Sequence, residues 1–262
     1  MGKKRQNVRT VRNAPHPVKH ENSMKTRLGR RLPIDEASFI LKNRRISELP
    51  MFKHVIWDWN GTLLDDTTAC VEAINVLLER RGMRRISAEE YADVFDFPVR
   101  DYYVKLGFDF TREKWDLLAG EYHAVYAVTS AKAPLRTGAI AVLDALQAAG
   151  ITLSVLSASE LTLLKRMMAE RGILGYFRHV YGLSDLYAHS KVELGHELLR
   201  TSGYREDESA LVGDTLHDFQ VAEAVGAACL LMTSGHQSES KLRLCGCPVV
   251  HTLAEARSWL EK

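Results

Sequence analysis

The sequence predicts an α/β fold, a mainly parallel sheet with helices on both faces, and three features point to it. From Phe52 to the C-terminus, short apolar runs alternate with helical patterns, the signature of βαβ units. Glycines stand where helical patterns stop, at Gly82, Gly150 and Gly172, as helix C-termini favour. The alternation breaks once, after the first strand, over a long stretch with no convincing strand, which reads as a helical insertion.

In chain order, residues 54–59 are the first strand candidate. Residues 67–81 read as a helix with Val71, Ile74, Leu77 and Leu78 near one face. Residues 87–106 and 111–128 read as further helices, interrupted at Pro98, whose ring cannot continue a helix. The alternation returns after Pro134. Residues 139–149 are a helix, 151–156 a buried strand, 161–171 a helix and 179–182 a short strand. Residues 192–202 are a helix, and 210–212 a strand that runs into Gly213-Asp214. A helix at 216–225, strands at 228–232 and 248–250, and a helix at 253–260 complete the chain. The expected organisation is an α/β core from 51–66 and 135–262 with a helical cap from 67–134.

Residues 1–50 stand apart. They hold thirteen Lys/Arg against four Asp/Glu, a balance of +9, so the remainder carries −7 beneath a net charge of +2. Apolar periodicity is missing before about Ile34, and the segment reads as a basic, largely disordered arm. Three readings stay open: contact with nucleic acid or an anionic surface, a targeting segment, or upstream sequence with no role. The last weighs at least as much as the others together.

The 262 residues are 46% apolar and 26% charged, enough for a substantial core. With no run of about 18 apolar residues, no membrane contact is expected. Four cysteines without a secretory signal suit reduced thiols and a cytoplasmic setting. Cys245-Gly-Cys247 looks like half a metal site, but no second pair accompanies it and a turn is the better reading. Nothing in the sequence sets the oligomeric state.

Ligands of open α/β sheets bind outside the carboxyl ends of the strands. The first strand end supplies Asp58, Asn60 and Thr62, the second Ser157, and the fourth Asp214 with Asp218 one turn on. Lys191 lies in the loop before the helix that leads to the fourth strand. A carboxylate can attack phosphorus and form an acyl phosphate. Mg²⁺ held by carboxylates, together with a lysine, can cancel the repulsion of that attack. A hydroxyl and helix-start N–H groups can hold the phosphoryl oxygens.

Four motifs occur in a familiar order: Asp58-Trp59-Asn60-Gly61-Thr62, Leu156-Ser157-Ala158, Ser190-Lys191 and Gly213-Asp214-Thr215-Leu216-His217-Asp218. From about Phe52 onward the chain resembles the haloacid dehalogenase-like phosphohydrolases, close to the phosphoglycolate-phosphatase-like branch. The resemblance implies a Rossmann-like parallel sheet with an inserted helical cap. It implies a small phosphorylated metabolite as substrate and Asp58 as nucleophile. Mg²⁺ would bind Asp58, the Asn60 carbonyl and Asp214, with Asp218 nearby. Ser157, Ala158 and Lys191 would hold the phosphoryl group, and Thr62 would orient the loop against it.

One position departs from the family. Its phosphatases usually carry Asp two residues after the nucleophile as the proton shuttle, and here Asn60 stands there. General acid–base catalysis is worth about 10²–10⁴-fold. A phosphotransferase, or a binding protein that has lost turnover, therefore stays open beside the phosphatase. His189 and His217 are candidate substitutes for the acid, and Asn60→Asp is expected to restore turnover of ordinary monoesters. Asp65 and Asp66 are read as caps of the following helix, and Trp57 and Trp59 as packing residues.

Overall fold

The computed structural model describes residues 52–183 and 190–262; the expected arm and His189 lie outside the described residues. Among the described residues six parallel strands form one sheet in the order β3-β2-β1-β4-β5-β6. They are β1 (His54–Trp57), β2 (Thr152–Glu160), β3 (His179–Leu183), β4 (Ser209–Gly213), β5 (Ala228–Met232) and β6 (Val249–Val250). Helices α1 (Thr67–Arg80), α2 (Ala88–Val94), α3 (Val99–Lys105) and α4 (Trp115–Thr129) follow β1. Next come α5 (Ala139–Ala148), α6 (Leu161–Glu170), α7 (Lys191–Ser202), α8 (Leu216–Val225), α9 (Glu239–Leu242) and α10 (Leu253–Leu260).

Side chains on a strand alternate between faces, and β1 divides its residues accordingly. Val55 and Trp57 join Leu143 and Leu146 of α5, Met168 of α6 and Leu260 of α10 in one cluster. Ile56 joins Leu194 and Leu198 of α7 and Val221 of α8 in another. Every residue of β1 is buried, so the strand is apolar throughout except His54. That ring is held by Ser154 Oγ at 2.8 Å and Ser209 Oγ at 3.2 Å. Truncating Ile56 to Ala would cost about 2–5 kcal/mol by cavity formation.

Helices α1 to α4 carry their own apolar cluster, including Ile74, Leu77 and Leu78 of α1, Tyr91 of α2, Tyr103 of α3 and Leu118 of α4. The α2 start is a capping box in which Ser87 Oγ accepts from Glu90 N and the Glu90 carboxylate accepts from Ser87 N. Helix α4 begins at Trp115, later than the periodicity suggests. The Asp109 carboxylate accepts both N–H and O–H of Thr111, at 2.9 and 2.6 Å, and holds the preceding residues in a turn. Strand β2 runs beyond 156 to Glu160, with a register shift between Leu156 and Glu160. Helix α9 was not expected from the sequence.

Candidate active site

The sheet register brings the acids together. Trp57 of β1 pairs with Val212 of β4, and Asp58 N–H still donates to Val212 O at 2.8 Å. Asp58 and Asp214 therefore leave neighbouring strands at almost the same level. Beyond Asp58 the chain turns sharply: Leu63 and Leu64 N–H donate back to Trp59 O, at 3.1 and 2.8 Å. Gly61 makes this turn possible with φ +74°, and a Cβ there would lie 2.3 Å from Asp214 Oδ2. Only glycine meets both conditions.

Helix starts supply the next two groups. Ser190 caps α7 through a capping box with Glu193, and Lys191 is the first helical residue rather than a loop residue. Its Nζ donates to Asp58 Oδ1 and, at 2.6 Å, to Asp218 Oδ1. Thr215 caps α8 in the same manner, with Asp218 as the partner. Asp218 Oδ2 accepts from Thr215 Oγ1 at 2.7 Å, Thr215 N at 3.0 Å and Asp214 N at 3.2 Å. Asp218 thus holds Lys191 and the turn after Asp214, and both of its oxygens are engaged.

Asp58, Asp214 and Asp218 present oxygens within 4.8 Å of one another, and all three are buried. Lys191 is the lysine that pairs with this group. Burial pushes the Asp58 carboxyl up to about 8, and the charges of Asp218 and Asp214 add to it while Lys191 opposes. Burial also raises Asp214, helped by Asp218. Against burial, the Lys191 ammonium holds Asp218 down, and the two carboxylates hold Lys191 up. Three acids and one ammonium leave an excess of negative charge in low dielectric, which is costly. A hard divalent cation with oxygen ligands fits this donor set.

The other expected site residues sit as follows. Ser157 is fully buried on β2, and its Oγ accepts from Ser159 N at 3.0 Å. Ala158 is exposed beside it. Thr62 is fully buried, and its hydroxyl donates to Asp214 Oδ1 at 2.9 Å. That hydroxyl joins the loop after β1 to the acid of the neighbouring strand. The His217 ring stacks on Phe97 of the helical segment at 4.4 Å, and burial lowers its pKa. Trp57 and Trp59 are fully buried, their indole N–H groups without a hydrogen-bond partner.

Asn60 belongs to a second polar group. Its Nδ2 donates to Asp66 Oδ2 and to the Tyr126 hydroxyl, both at 2.8 Å. Its Oδ1 accepts from Ser159 Oγ at 2.6 Å. Asp66 does not cap α1 through its side chain. It is fully buried and accepts from Gly61 N at 2.8 Å and Tyr126 OH at 2.6 Å. His236 Nε2 lies 3.5 Å from Asp66 Oδ1, its Nδ1 3.0 Å from the Tyr91 hydroxyl, and its backbone N–H donates to Asp214 Oδ2 at 2.6 Å. Against burial, His236 and these donors hold Asp66 down at about 2. Against its own burial, the Asp66 charge lifts His236 to about 9. Cys70 Sγ joins at 3.6 Å from Asp66 Oδ2.

The simple expectation for Asn60→Asp changes accordingly. A carboxylate at 60 would face the buried Asp66 carboxylate where a hydrogen bond now stands. Like charges at that separation cannot both ionise cheaply.

Sequence reasoning missed Asp66 as a hub, and it missed His236, Tyr126, Ser159 and Arg136. Arg136 donates to the carbonyls of Gly61, of Thr62 at 3.0 Å and of Ser234 at 3.1 Å, tying the loop after β1 to the loop after β5. His236 had one available signal: it lies four residues beyond β5, at the carboxyl end where ligands gather. A surface cleft of about 670 Å³ lined by Arg136, Thr137, His251 and Arg257 contains none of Asp58, Lys191 and Asp214.

Comparison with known proteins places this arrangement. The "Probable phosphatase IndB" of Dickeya dadantii (strain 3937) is 26% identical over 72% of this chain and 84% of its own length. A protein of Agrobacterium fabrum named phosphoglycolate phosphatase is 24% identical over 71% of this chain and 83% of its own. Among solved structures, protein tyrosine kinase A of Mycobacterium tuberculosis superposes with a TM-score of 0.69 at 23% identity. It covers 81% of this chain and 99% of its own, a likeness of fold. The family model described as haloacid dehalogenase-like hydrolase matches residues 55–232, from β1 through β5, and the chain belongs to that family.

Proposed function

We propose that this hydrolase is a Mg²⁺-dependent phosphatase acting on a small phosphorylated metabolite through a phospho-Asp58 intermediate. The observation that carries the reading is the uncompensated negative charge of Asp58, Asp214 and Asp218 around one lysine, at the carboxyl ends of adjacent strands. In this reading an Asp58 carboxylate oxygen attacks phosphorus and the ester oxygen leaves. Lys191 and Ser157 hold the phosphoryl oxygens, with Ala158 at the edge of their pocket. Thr62 and the His236 N–H fix both oxygens of Asp214. Asp58, the Asn60 carbonyl and Asp214 would hold Mg²⁺, with Asp218 behind them, and the bound ion would offset the charge of the phosphoryl group. In this reading the segment 67–134 acts as a cap that lifts to admit substrate: its Tyr126 bonds to Asn60 and its Phe97 stacks on His217, and Asp58 and Lys191 are buried.

Relatives named as phosphatases support the activity, and the one named phosphoglycolate phosphatase makes small phosphorylated acids the first class to try. A cytoplasmic setting suits the free thiols of Cys70, Cys229, Cys245 and Cys247, and no helix among the described residues is long and apolar enough to cross a membrane. The test is phosphate release from a panel of phosphorylated metabolites, with and without Mg²⁺, by the wild type and Asp58→Asn. Mg²⁺-dependent release that the variant loses supports the reading. Release that survives in Asp58→Asn excludes it.

A further inference from the structure

We infer that the Asn60–Asp66 pair withholds a proton donor from the reaction and so selects phosphoryl donors whose leaving group departs as a stable anion. This rests on the proposed attack by Asp58. It names the substrate class as mixed carboxylic–phosphoric anhydrides and related phosphoanhydrides, ahead of alkyl phosphate monoesters.

The inference stands on the hydrogen-bond inventory of position 60. An amide carries two N–H hydrogens and one carbonyl oxygen. One hydrogen of Asn60 goes to Asp66 Oδ2 and the other to Tyr126 OH, while the oxygen accepts from Ser159 Oγ. Asp66 fixes the orientation of the amide. The opposite flip would set the Asn60 oxygen against the Asp66 carboxylate, which has no hydrogen to donate. Tyr126 OH is itself committed as a donor to Asp66 Oδ2 at 2.6 Å. Thus each of these polar hydrogens points into the Asp66 network.

Lys191 and His236 also make contacts to buried acids. Lys191 Nζ is bound between Asp58 and Asp218. His236 lies between Asp66 and the Tyr91 hydroxyl, 5% exposed. The His217 ring is stacked against Phe97. Around position 60, the hydrogens of Asn60, Tyr126 and Ser159 Oγ are thus all engaged and none is left for a leaving alkoxide, whereas a leaving carboxylate or phosphate needs none.

The chemistry balances without an acid. An Asp58 oxygen forms a bond to phosphorus, and the bond from phosphorus to the leaving oxygen breaks. The leaving group takes the electron pair and departs as an anion. Water then attacks the phosphorus of phospho-Asp58, the P–O bond to Asp58 breaks, and the carboxylate is restored. One proton of that water stays on inorganic phosphate and the other passes to solvent.

The test compares acetyl phosphate, a series of aryl phosphates graded by leaving-group acidity, and ethyl phosphate, each corrected for its uncatalysed rate. For the wild type we expect a steep fall of kcat/KM as the leaving group becomes more basic. We expect ethyl phosphate to lie at least about 10²-fold below the value an acid-assisted site would give. The exchange variant Asn60→Asp/Asp66→Asn keeps one acid and one amide in contact but moves the acid to 60. It should raise the ratio of ethyl phosphate to acetyl phosphate turnover by about 10²-fold or more.

A flat wild-type series overturns the inference even where the exchange variant fails to fold, because it means that a proton reaches the leaving group from elsewhere. A folded exchange variant with an unchanged ethyl-to-acetyl ratio overturns it too. Phosphate bound covalently to Asp58 is read separately, by acid-stable, hydroxylamine-labile labelling with acetyl phosphate. Labelling with a flat series sinks the inference alone. No labelling and no release from any donor sinks the proposed function and the inference together.

Discussion

Two buried acid groups lie side by side in this protein and are built on opposite electrostatic terms. Asp58, Asp214 and Asp218 share one lysine. Asp66 has His236 beside its Oδ1, a cation that also acts on Asp214, and gathers donors from Asn60, Gly61 and Tyr126. The first group pushes Asp58 up to about 8, and the second holds Asp66 down at about 2. Burial is equal, so the difference lies in compensation. A buried acid supplied with a counter-charge and hydrogen bonds is a structural joint, whereas acids in excess form a place where something positive belongs.

The largest expected effect breaks the first group. Asp58→Asn should lower phosphate release by at least about a thousandfold, the order lost when a nucleophile is removed. Its melting temperature should hold or rise, because the variant relieves the excess charge. Turnover and thermal melting on the same preparation check both halves.

Breaking the second group should reverse that pattern. Asp66→Ala leaves the His236 imidazolium buried without its partner, and His236→Ala does the same to Asp66. Each should cost about 3–5 kcal/mol of stability, read by urea unfolding. Exchanging both residues for a neutral pair of similar volume should cost less than either single change. If the singles are nearly neutral, Asp66 and His236 are not a compensated pair.

Next in size is the response to cation. Mg²⁺ at about a hundred times its Kd should stabilise the protein by about 2.7 kcal/mol. With the concentration set at about a hundred times the pH 8 Kd and held there, the gain should be smaller at pH 5.5. The Asp58 carboxyl is raised from 3.8 to about 8, so at the lower pH it binds a proton that the metal must displace. Asp214→Asn should remove most of the Mg²⁺ effect on melting, and Asp218→Asn less, because Asp218 already holds Lys191 and the Thr215 turn. Equal gains at both pH values would show that no raised carboxyl is linked to the metal.

The first group was legible in the sequence and the second was not, for a physical reason. Asp58 and Asp214 end apolar runs, Thr215 stands three residues before Asp218, and glycines mark the turns. These are local signals that topology then brings together. Asp66 sits before a helix, where an acid normally reads as a cap. Its partners Tyr126 and His236 are 60 and 170 positions away, and nothing local at any of them announces the others. Likewise Lys191 reads as a loop residue in the sequence because the first residue of a capped helix carries no apolar periodicity. The apolar run that marks β2 stops at 156, whereas the strand continues through an irregular stretch to Glu160.

The smallest expected effect separates the groups by pH. His236 is raised from 6.5 to about 9, so its contribution is complete below pH 6.5 and is lost as pH climbs through 9. Asp66 is lowered from 3.8 to about 2, so its contribution is complete above pH 3.8 and fades as pH falls through 2. The pair should add a plateau of stability between about pH 4 and 6.5. Asp66→Asn should flatten both limbs, which melting scans across pH would reveal.

The hydrogen bond between Asn60 and Asp66 also constrains how such a protein can evolve. Changing residue 60 to an acid while Asp66 remains sets two carboxylates in contact, so the route to an acid at 60 passes first through the loss of the acid at 66. Losing Asp66 first strands His236 and releases Tyr126, so that route crosses a less stable ancestor unless His236 changes as well. The two positions therefore form an epistatic pair. Among descendants of this sequence, an acid at one of them should be accompanied by a neutral residue at the other.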